Sequence, residues 1–244
     1  MVLKLNLKFS LLLAWYYGFR TIKRGPSYVI ASLSSPLTLL FLVYIISRGE
    51  LVRFAIAGGF IGLVASVALS SSGDAAFLRL QLRIQDLYVA SRVTPSDYMV
   101  GLTLSYLIFS IPGIVLYVIL GYFYHIFTPL SSIYLAMILV LLVISTSSIS
   151  FIISGSISHV RNVWGIAGIL SIIMTVLPPT FYPYTYIPKV ALYALFISPA
   201  TSAAVLVQGI FGLEALYLPA LYIIIGETAI YFAVARLLTR WREN

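Results

Sequence analysis

The chain of 244 residues is 61% hydrophobic and only 9% charged, whereas soluble domains carry roughly 25% charged residues. This composition leaves no room for a separate soluble catalytic domain and predicts an all-α polytopic membrane protein, one transmembrane domain over residues 1–244 with spans of about 20 residues each. The sequence contains no Cys, which excludes disulfides and thiolate metal sites.

The N-terminal part predicts one helix on the membrane surface and two spans. Residues 3–19 are apolar but carry Lys4 and Lys8 one turn apart, which favours an interfacial helix over a crossing. The first predicted span is residues 28–47, with a kink expected at Pro36, and the second is residues 54–73.

Residues 75–92 are too polar to lie inside a bilayer. Written as one helix, they form an apolar stripe at i, i+3, i+4, i+7 spacing made of Phe77, Leu80, Ile84, Leu87, Tyr88 and Ser91. Arg79, Arg83 and Asp86 fall on the opposite face. Pro95 stops the helix, because proline disfavours helical geometry at the preceding residue. This amphipathic helix is either a solvated connector or a docking surface for a soluble partner.

Three more spans are predicted over residues 98–122, 133–156 and 163–177. The fourth span carries a run of small hydroxylated residues that includes Ser147 and Ser150. Such residues let helices approach closely, so we interpret the run first as a packing face and second as the lining of a substrate path.

Residues 178–213 form an outer segment that does not cross the membrane. Ser198-Pro199 divides its apolar part into pieces that reach roughly 13 and 18 Å, less than the ~30 Å hydrocarbon core. The segment is therefore expected to dip in and return as a re-entrant helical hairpin. Tyr182 and Tyr186 belong to an outer aromatic belt or, alternatively, line an exit path. The sixth span is residues 215–238.

The distribution of basic residues supports six crossings. With both termini in the cytoplasm, Arg48, Arg53 and Lys189 are the only members of the 15 Lys and Arg that lie outside. A seventh crossing would move the C-terminal arginines outside. We therefore assign the net charge of +8 to orientation and to anionic lipid headgroups, with no role in binding nucleic acid.

Three stretches occur in an order that suggests a family. Residues 3–19 are similar to an elbow helix before a first span. Residues 92–101 (RVTPSDYMVG) and the outer residues 182–188 (YPYTYIP) with 198–201 (SPAT) complete the set. Together they resemble the type-2 permease family of ATP-binding-cassette (ABC) transporters, in which a cytoplasmic coupling helix precedes the third span. The resemblance covers nearly the whole chain, although none of the stretches is a catalytic fingerprint.

The resemblance implies a non-catalytic permease subunit in the cell membrane. ATP and magnesium are expected on a partner ABC ATPase subunit, with no cofactor in this chain, and the sequence agrees because it has no G-x-x-x-x-G-K-[ST] loop. A second permease subunit, identical or related, is expected by analogy. The residues expected to couple to the ATPase are Phe77, Leu80, Arg83, Ile84, Asp86, Leu87 and Arg92. Family analogy favours export, and the apolar interior favours a hydrophobic or amphiphilic substrate.

Glu227 is a carboxylate near mid-membrane, about 18 Å into the last predicted span. An acid in a membrane is costly unless it is paired or protonated, so it marks either a substrate path or a hydrogen-bonded packing site. We interpret it as packing first and as substrate path second. His125 and His159 lie on opposite sides of the predicted topology, too far apart to share a metal.

Two other classes of protein fit the sequence less well than the permease. An intramembrane protease needs a Ser nucleophile and a His base at membrane depth, and neither His is predicted there. The membrane scaffold of another ATP-coupled importer would be expected to have two long coupling helices, and only one is predicted here.

Overall fold

A computed structural model describes residues 6–91 and 93–238 of the chain, which form eleven α-helices joined by short turns. The predicted all-α class is confirmed. Arg92, predicted as a coupling residue, lies outside the described residues, as do Lys4 and the C-terminal Arg240 and Arg242.

The N-terminal helix is longer than predicted. It runs through α1 (Leu7–Ala14), a π-helical turn (Trp15–Phe19) and α2 (Arg20–Arg24). Gly25 ends it, and Pro26 begins α3 (Pro26–Ile46), because a proline is well suited to the first helical turn.

Three long helices form most of the bundle: α4 (Val52–Leu80), α6 (Pro95–Phe123) and α7 (Pro129–Ser156). Each exceeds its predicted span. The last two start earlier than predicted because Thr94 and Thr128 form capping boxes in front of Pro95 and Pro129. At 29 residues, or about 43 Å, α4 is longer than a ~30 Å hydrocarbon core.

The prediction of one helix over residues 75–92 is wrong. The second span continues to Leu80, and after a turn the chain forms only the short α5 (Ile84–Val89). Ala75, Ala76, Leu78 and Arg79 are buried in the bundle, so packing favours extending α4 rather than starting a separate surface helix. The residues on both sides of the turn keep helical periodicity. The sequence pattern therefore gave no sign of the break.

The C-terminal half contains α8 (Val160–Val176), a 3-10 turn (Tyr184–Tyr186), α9 (Lys189–Leu195), α10 (Pro199–Ile210) and α11 (Pro219–Leu238). The two short helices α9 and α10 occupy the predicted hairpin. Among the described residues, α3, α4, α6, α7 and α11 are long and apolar enough to cross a membrane. At about 26 Å, α8 lies at the lower limit for a crossing.

The bundle packs around α4, which contacts α3, α6, α7, α8 and α10. Glycines allow the closest approaches: a Cβ on Gly59 would lie 1.9 Å from Cε1 of Tyr117, and one on Gly58 would overlap the carbonyl of Thr180. Only residues without a side chain fit at these two positions.

Buried clusters define the two ends of the molecule. We call one the α5 end; its core joins the N-terminal helix to the ends of four other helices through Leu13, Ala75, Leu78, Tyr98, Met99, Leu102, Phe151 and Ala235. The opposite, outer-segment end contains Val52, Ile126, Leu192, Phe196 and Ala220 in its core. Because Leu13 and Ala235 share one cluster, α1 and the end of α11 meet at the α5 end.

Candidate coupling site and intramembrane polar cluster

The short helix α5 forms an exposed ridge at the α5 end. Arg83 precedes it in a left-handed backbone conformation (φ 51°), which a non-glycine residue rarely adopts and which separates α5 from α4. Leu82, Arg83, Asp86 and Leu87 are exposed, with Leu87 at 69%, whereas Gln85 is buried. The ridge therefore presents both apolar and charged groups outward.

A series of aromatic contacts connects this ridge to the bundle. The ring centroids of Tyr88 in α5 and Phe9 in α1 lie 5.1 Å apart, and those of Tyr88 and Tyr98 in α6 lie 5.7 Å apart. Tyr98 in turn lies 6.3 Å from Phe151 in α7. These separations fall in the range of favourable aromatic pairs. A displacement of α5 would therefore act directly on α1 and α6, and through α6 on α7.

The N-terminal helix is also tied to α6 by hydrogen bonds. The Ser10 hydroxyl donates to the Asp97 carbonyl at 2.9 Å, and the Ser105 hydroxyl donates to the Leu13 carbonyl at 3.3 Å. Gly18 packs against Ser105, where a Cβ would lie 2.8 Å from the backbone oxygen. The two helices therefore form one unit next to α5.

The side chain of Arg79, which is in α4, lies at the C-terminal end of α7. Its Nη2 donates to the carbonyl oxygens of Ser154 and Ile157. Carbonyls at the C-terminal end of a helix have no N–H partner within the helix, so Arg79 satisfies them. A cation there also complements the helix dipole. Arg79 was predicted on a solvated face, but it is only 8% exposed and fixes the end of α7 to α4 just before the turn into α5.

Gln208 holds the outer segment together. Its side chain is 1% exposed; Nε2 donates to the carbonyls of Pro179 (2.6 Å) and Tyr182 (2.9 Å), and Oε1 accepts the N–H of Tyr184 at 3.0 Å. The Tyr182 hydroxyl donates to the Leu177 carbonyl at 2.9 Å. The three hydrogen bonds of the Gln208 amide thus fix the loop between α8 and α9 against α10.

Glu227 faces α10. Its Oε2 accepts the Ser202 hydroxyl of α10 at 2.7 Å, while Oε1 is buried with no hydrogen-bond partner in the described part of the chain. Two further bonds hold α11 nearby: Ser145 to Thr228 at 2.7 Å, and the Tyr231 hydroxyl to the Ile197 carbonyl at 2.6 Å. Since α11 begins at Pro219, Glu227 lies about 12 Å along the helix, less than the predicted 18 Å.

The comparison with protein families decides the identity. A family model described as ABC-2 type transporter matches residues 10–211, from α1 to the end of α10. The chain belongs to the ABC-2 type transporter family. It is therefore a multi-pass membrane permease subunit of an ABC transporter, and permeases of this family normally act with an ABC ATPase subunit. No curated protein matches the chain.

The predicted coupling residues of the permease do not form one surface. Arg83, Asp86 and Leu87 are exposed on the ridge, and Ile84 is half-buried beneath it. Phe77 and Leu80 belong to the last turns of α4 instead. The predicted apolar stripe is also interrupted in α5, where Leu87 is exposed and Gln85 is buried.

The predicted path residues of the permease separate into different environments. Ser147 and Ser150 are fully buried, and the Ser150 hydroxyl donates to the Ala68 carbonyl at 2.6 Å, a packing contact between α7 and α4. Tyr182 is half-buried, Tyr186 is 69% exposed, and both lie at the outer-segment end. Glu227 contacts Ser202 of α10.

Arg79 and Gln208 were missed by sequence reasoning. Arg79 had one available signal, since an arginine near the end of a long apolar helix either extends its charge toward the interface or caps a neighbouring helix. Gln208 had a comparable signal, as a lone amide in an otherwise apolar helix. In neither case does the sequence identify the carbonyls that accept the bonds.

Proposed function

We propose that the permease is an exporter that moves a hydrophobic or amphiphilic substrate across the cell membrane, driven by ATP hydrolysis on a separate ABC ATPase subunit. ATP and magnesium bind to that partner. A second permease subunit, identical or related, completes the pathway. In this arrangement the α5 end and both termini are cytoplasmic, as the distribution of Lys and Arg favours.

One observation carries the proposal: the exposed ridge of α5 is connected by aromatic contacts to three other helices. An exposed leucine beside Arg83 and Asp86 suits a protein surface that closes and opens with nucleotide. Movement of the ATPase would press on α5, and Tyr88 would transmit it to α1 and α6. The substrate would leave past Glu227, Tyr182 and Tyr186 at the outer-segment end.

Co-reconstitution with a candidate ABC ATPase subunit tests this function. We expect the two proteins to co-purify and ATP hydrolysis to drive substrate out of the compartment that holds the ATPase. Leu87→Asp should abolish co-purification, because it places a charge at the centre of the contact, whereas Leu216→Asp, an exposed leucine at the outer-segment end, should not. Equal co-purification of both variants would refute docking on α5.

Glu227 is proposed as a residue of the substrate path. Glu227→Gln retains an oxygen that can accept the Ser202 hydroxyl, so the protein should insert at its normal abundance. Transport should fall, because the ionisable group is lost. A drop in abundance with unchanged transport per molecule would instead assign Glu227 to packing between α10 and α11.

A further inference from the structure

A cavity of about 260 Å³ lies where the N-terminal helix turns into α3. It is lined by Tyr16, Arg20, Thr21, Arg24 and Gly25. Arg20 and Arg24 are four residues apart in a helix, so their side chains lie on the same side of α2. The cavity therefore brings two positive charges together with the hydroxyl group of Thr21.

The two arginines keep their charge unneutralised. The first acid in the sequence is Glu50, which follows α3, a helix about 32 Å long. Within residues 6–91 and 93–238, the guanidinium group of neither Arg20 nor Arg24 forms an ion pair. Arg20 instead lies over the ring of Tyr16, with Cζ 5.2 Å from the ring centroid. This cation–π contact holds the guanidinium beside the cavity while its positive charge remains available to an anion.

The cavity lies at a boundary of the hydrocarbon core. Gly25 immediately precedes α3, whose 21 residues extend about 32 Å, close to the ~30 Å thickness of the core. Gly18 packs against Ser105 in α6, and the part of α6 from Ser105 to Phe123 is about 27 Å long. Both helices therefore place the cavity about one core thickness from the outer-segment end, at the depth of lipid headgroups.

Exposed apolar side chains adjoin the lining of the cavity. Trp15 and Phe19 precede the lining residues Tyr16 and Arg20 directly, and Ile30 lies in the second turn of α3. All three apolar side chains are more than half exposed. Tryptophan is enriched at membrane–water interfaces, where one part of a ligand or side chain is wet and the other apolar. The cavity thus combines positive charge for a headgroup with apolar surface for an acyl chain.

This combination selects an anionic amphiphile. Guanidinium groups bind phosphate oxygens through a planar fork of N–H donors. The cavity is smaller than the roughly 300–1,000 Å³ typical of sites for drug-sized ligands, so it suits a compact phosphate headgroup whose remaining surface lies outside. Basic pockets at this depth of membrane proteins bind the headgroups of anionic lipids.

We propose that Arg20, Thr21 and Arg24 bind the phosphate of an anionic phospholipid, whose acyl chains lie against Phe19 and Ile30. In the orientation of the proposed function, this lipid belongs to the cytoplasmic leaflet. The binding itself requires neither the ATPase nor nucleotide.

Native mass spectrometry of the purified full chain in neutral detergent measures the affinity for the first bound lipid. We expect dioleoyl phosphatidylglycerol to bind about tenfold or more tightly than dioleoyl phosphatidylcholine, which has the same acyl chains but no net charge. Arg20→Gln with Arg24→Gln should remove this difference, because no positive charge then lines the cavity. Arg48→Gln with Arg53→Gln removes the same charge from exposed residues at the outer-segment end and should preserve the difference.

Lys23 separates the cavity from general surface charge. It lies in the same helical turn as Arg24 but does not line the cavity. Arg24→Gln should weaken the binding of phosphatidylglycerol about fivefold, and Lys23→Gln less than about twofold. Equal losses for the two variants would overturn the site, by assigning binding to diffuse surface charge.

Water-soluble phosphates distinguish a lipid from a free anion. An excess of inorganic phosphate or glycerol 3-phosphate should not displace the lipid, because neither carries acyl chains. Displacement by either would overturn the lipid assignment, as would equal affinity of the native chain for the two phospholipids. A changed ratio of monomer to dimer in the double variant of Arg20 and Arg24, with unchanged lipid affinity, would also overturn it by assigning the arginines to a subunit contact.

The outcome is separable from that for the proposed function. Co-purification with the ATPase but no preference for the anionic lipid would refute only this site. A preference for the anionic lipid without co-purification would refute only docking on α5.

Discussion

Asp97 in α6 holds the start of the N-terminal helix: its Oδ1 accepts the backbone N–H of Asn6 at 2.7 Å, across 91 positions of sequence. Its Oδ2 accepts both the backbone N–H and the hydroxyl of Thr94, each at 2.8 Å. One buried carboxylate thus caps α6 and fixes α1 beside it. Both contacts depend on this single side chain.

Replacing Asp97 should loosen that end of the bundle. Asp97→Ala removes the capping box and the bond to Asn6, so we expect the free energy of unfolding to fall by about 2–4 kcal/mol. Asp97→Asn should cost less, because the amide keeps one acceptor. Thermal unfolding in detergent measures the change. Asp86→Ala, at an exposed site, should shift stability by less than ~0.5 kcal/mol, and similar losses for both variants would contradict the role of Asp97.

Gly59 is expected to tolerate no side chain. Gly59→Ala would place a methyl group inside the contact distance of the Tyr117 ring and should destabilise the protein by about 1–3 kcal/mol. The matched control is Gly168→Ala in α8, where a Cβ meets nothing within 4 Å and helix propensity favours Ala by up to ~1 kcal/mol. Denaturation midpoints of the two variants should therefore move in opposite directions. A stable Gly59→Ala variant would mean that α4 and α6 are not packed at this point.

Gln208 should determine the order of the outer segment. Gln208→Met keeps the volume but leaves the carbonyls of Pro179 and Tyr182 and the N–H of Tyr184 without their partner, at a cost of about 2–4 kcal/mol. Proteolysis of purified protein should then cut within residues 178–188. Thr185→Ala removes only an exposed bond to Glu214 and serves as the control. Equal protease resistance of all three proteins would exclude an organising role for the amide.

The exposed charges of α5 should matter for coupling but not for folding. In the double variant Arg83→Gly with Asp86→Asn, glycine preserves the left-handed turn while both charges are lost. We expect ATP hydrolysis to continue while transport falls about tenfold, since the contact that converts one into the other is weakened. Reconstituted vesicles allow both rates to be measured.

The control for that experiment removes a similar pair of charges elsewhere. Glu50→Gln with Arg53→Gln changes one acid and one base at the outer-segment end, both exposed. It should leave the ratio of transport to hydrolysis unchanged. If the α5 variant keeps the native ratio of transport to ATP hydrolysis, or if the control loses it, α5 is not the coupling element.

Much of the architecture was predictable because a bilayer restricts what a chain can do. Apolar runs of about 20 residues must form helices that satisfy their own backbone, so the long helices could be identified from composition and length. Ser198-Pro199 likewise predicted two short helices, observed as α9 and α10. Pro95 and Pro129 lie before the starts predicted for the third and fourth spans, at residues 98 and 133, but in the structure they are the first residues of α6 and α7.

The break after Leu80 was beyond sequence reasoning. Residues 75–92 have helical periodicity throughout, but whether Ala75 to Leu80 continue α4 depends on the surfaces of α1, α6 and α8 against which they pack. The left-handed conformation of Arg83 is similarly set by the context, because no local residue type demands it. The stripe of residues expected to act together was consequently divided between two helices.

The sequence by itself determined that the chain lies in a membrane, where its long apolar helices run and which end carries the basic residues, since these depend on local hydrophobicity and charge. Only the tertiary structure decided which polar groups meet: Asp97 with Asn6, Glu227 with Ser202, and Gln208 with the carbonyls of Pro179 and Tyr182. Such pairs join residues dozens of positions apart, and their partners are fixed by the rotation and depth of packed helices, which the spacing along one chain does not encode.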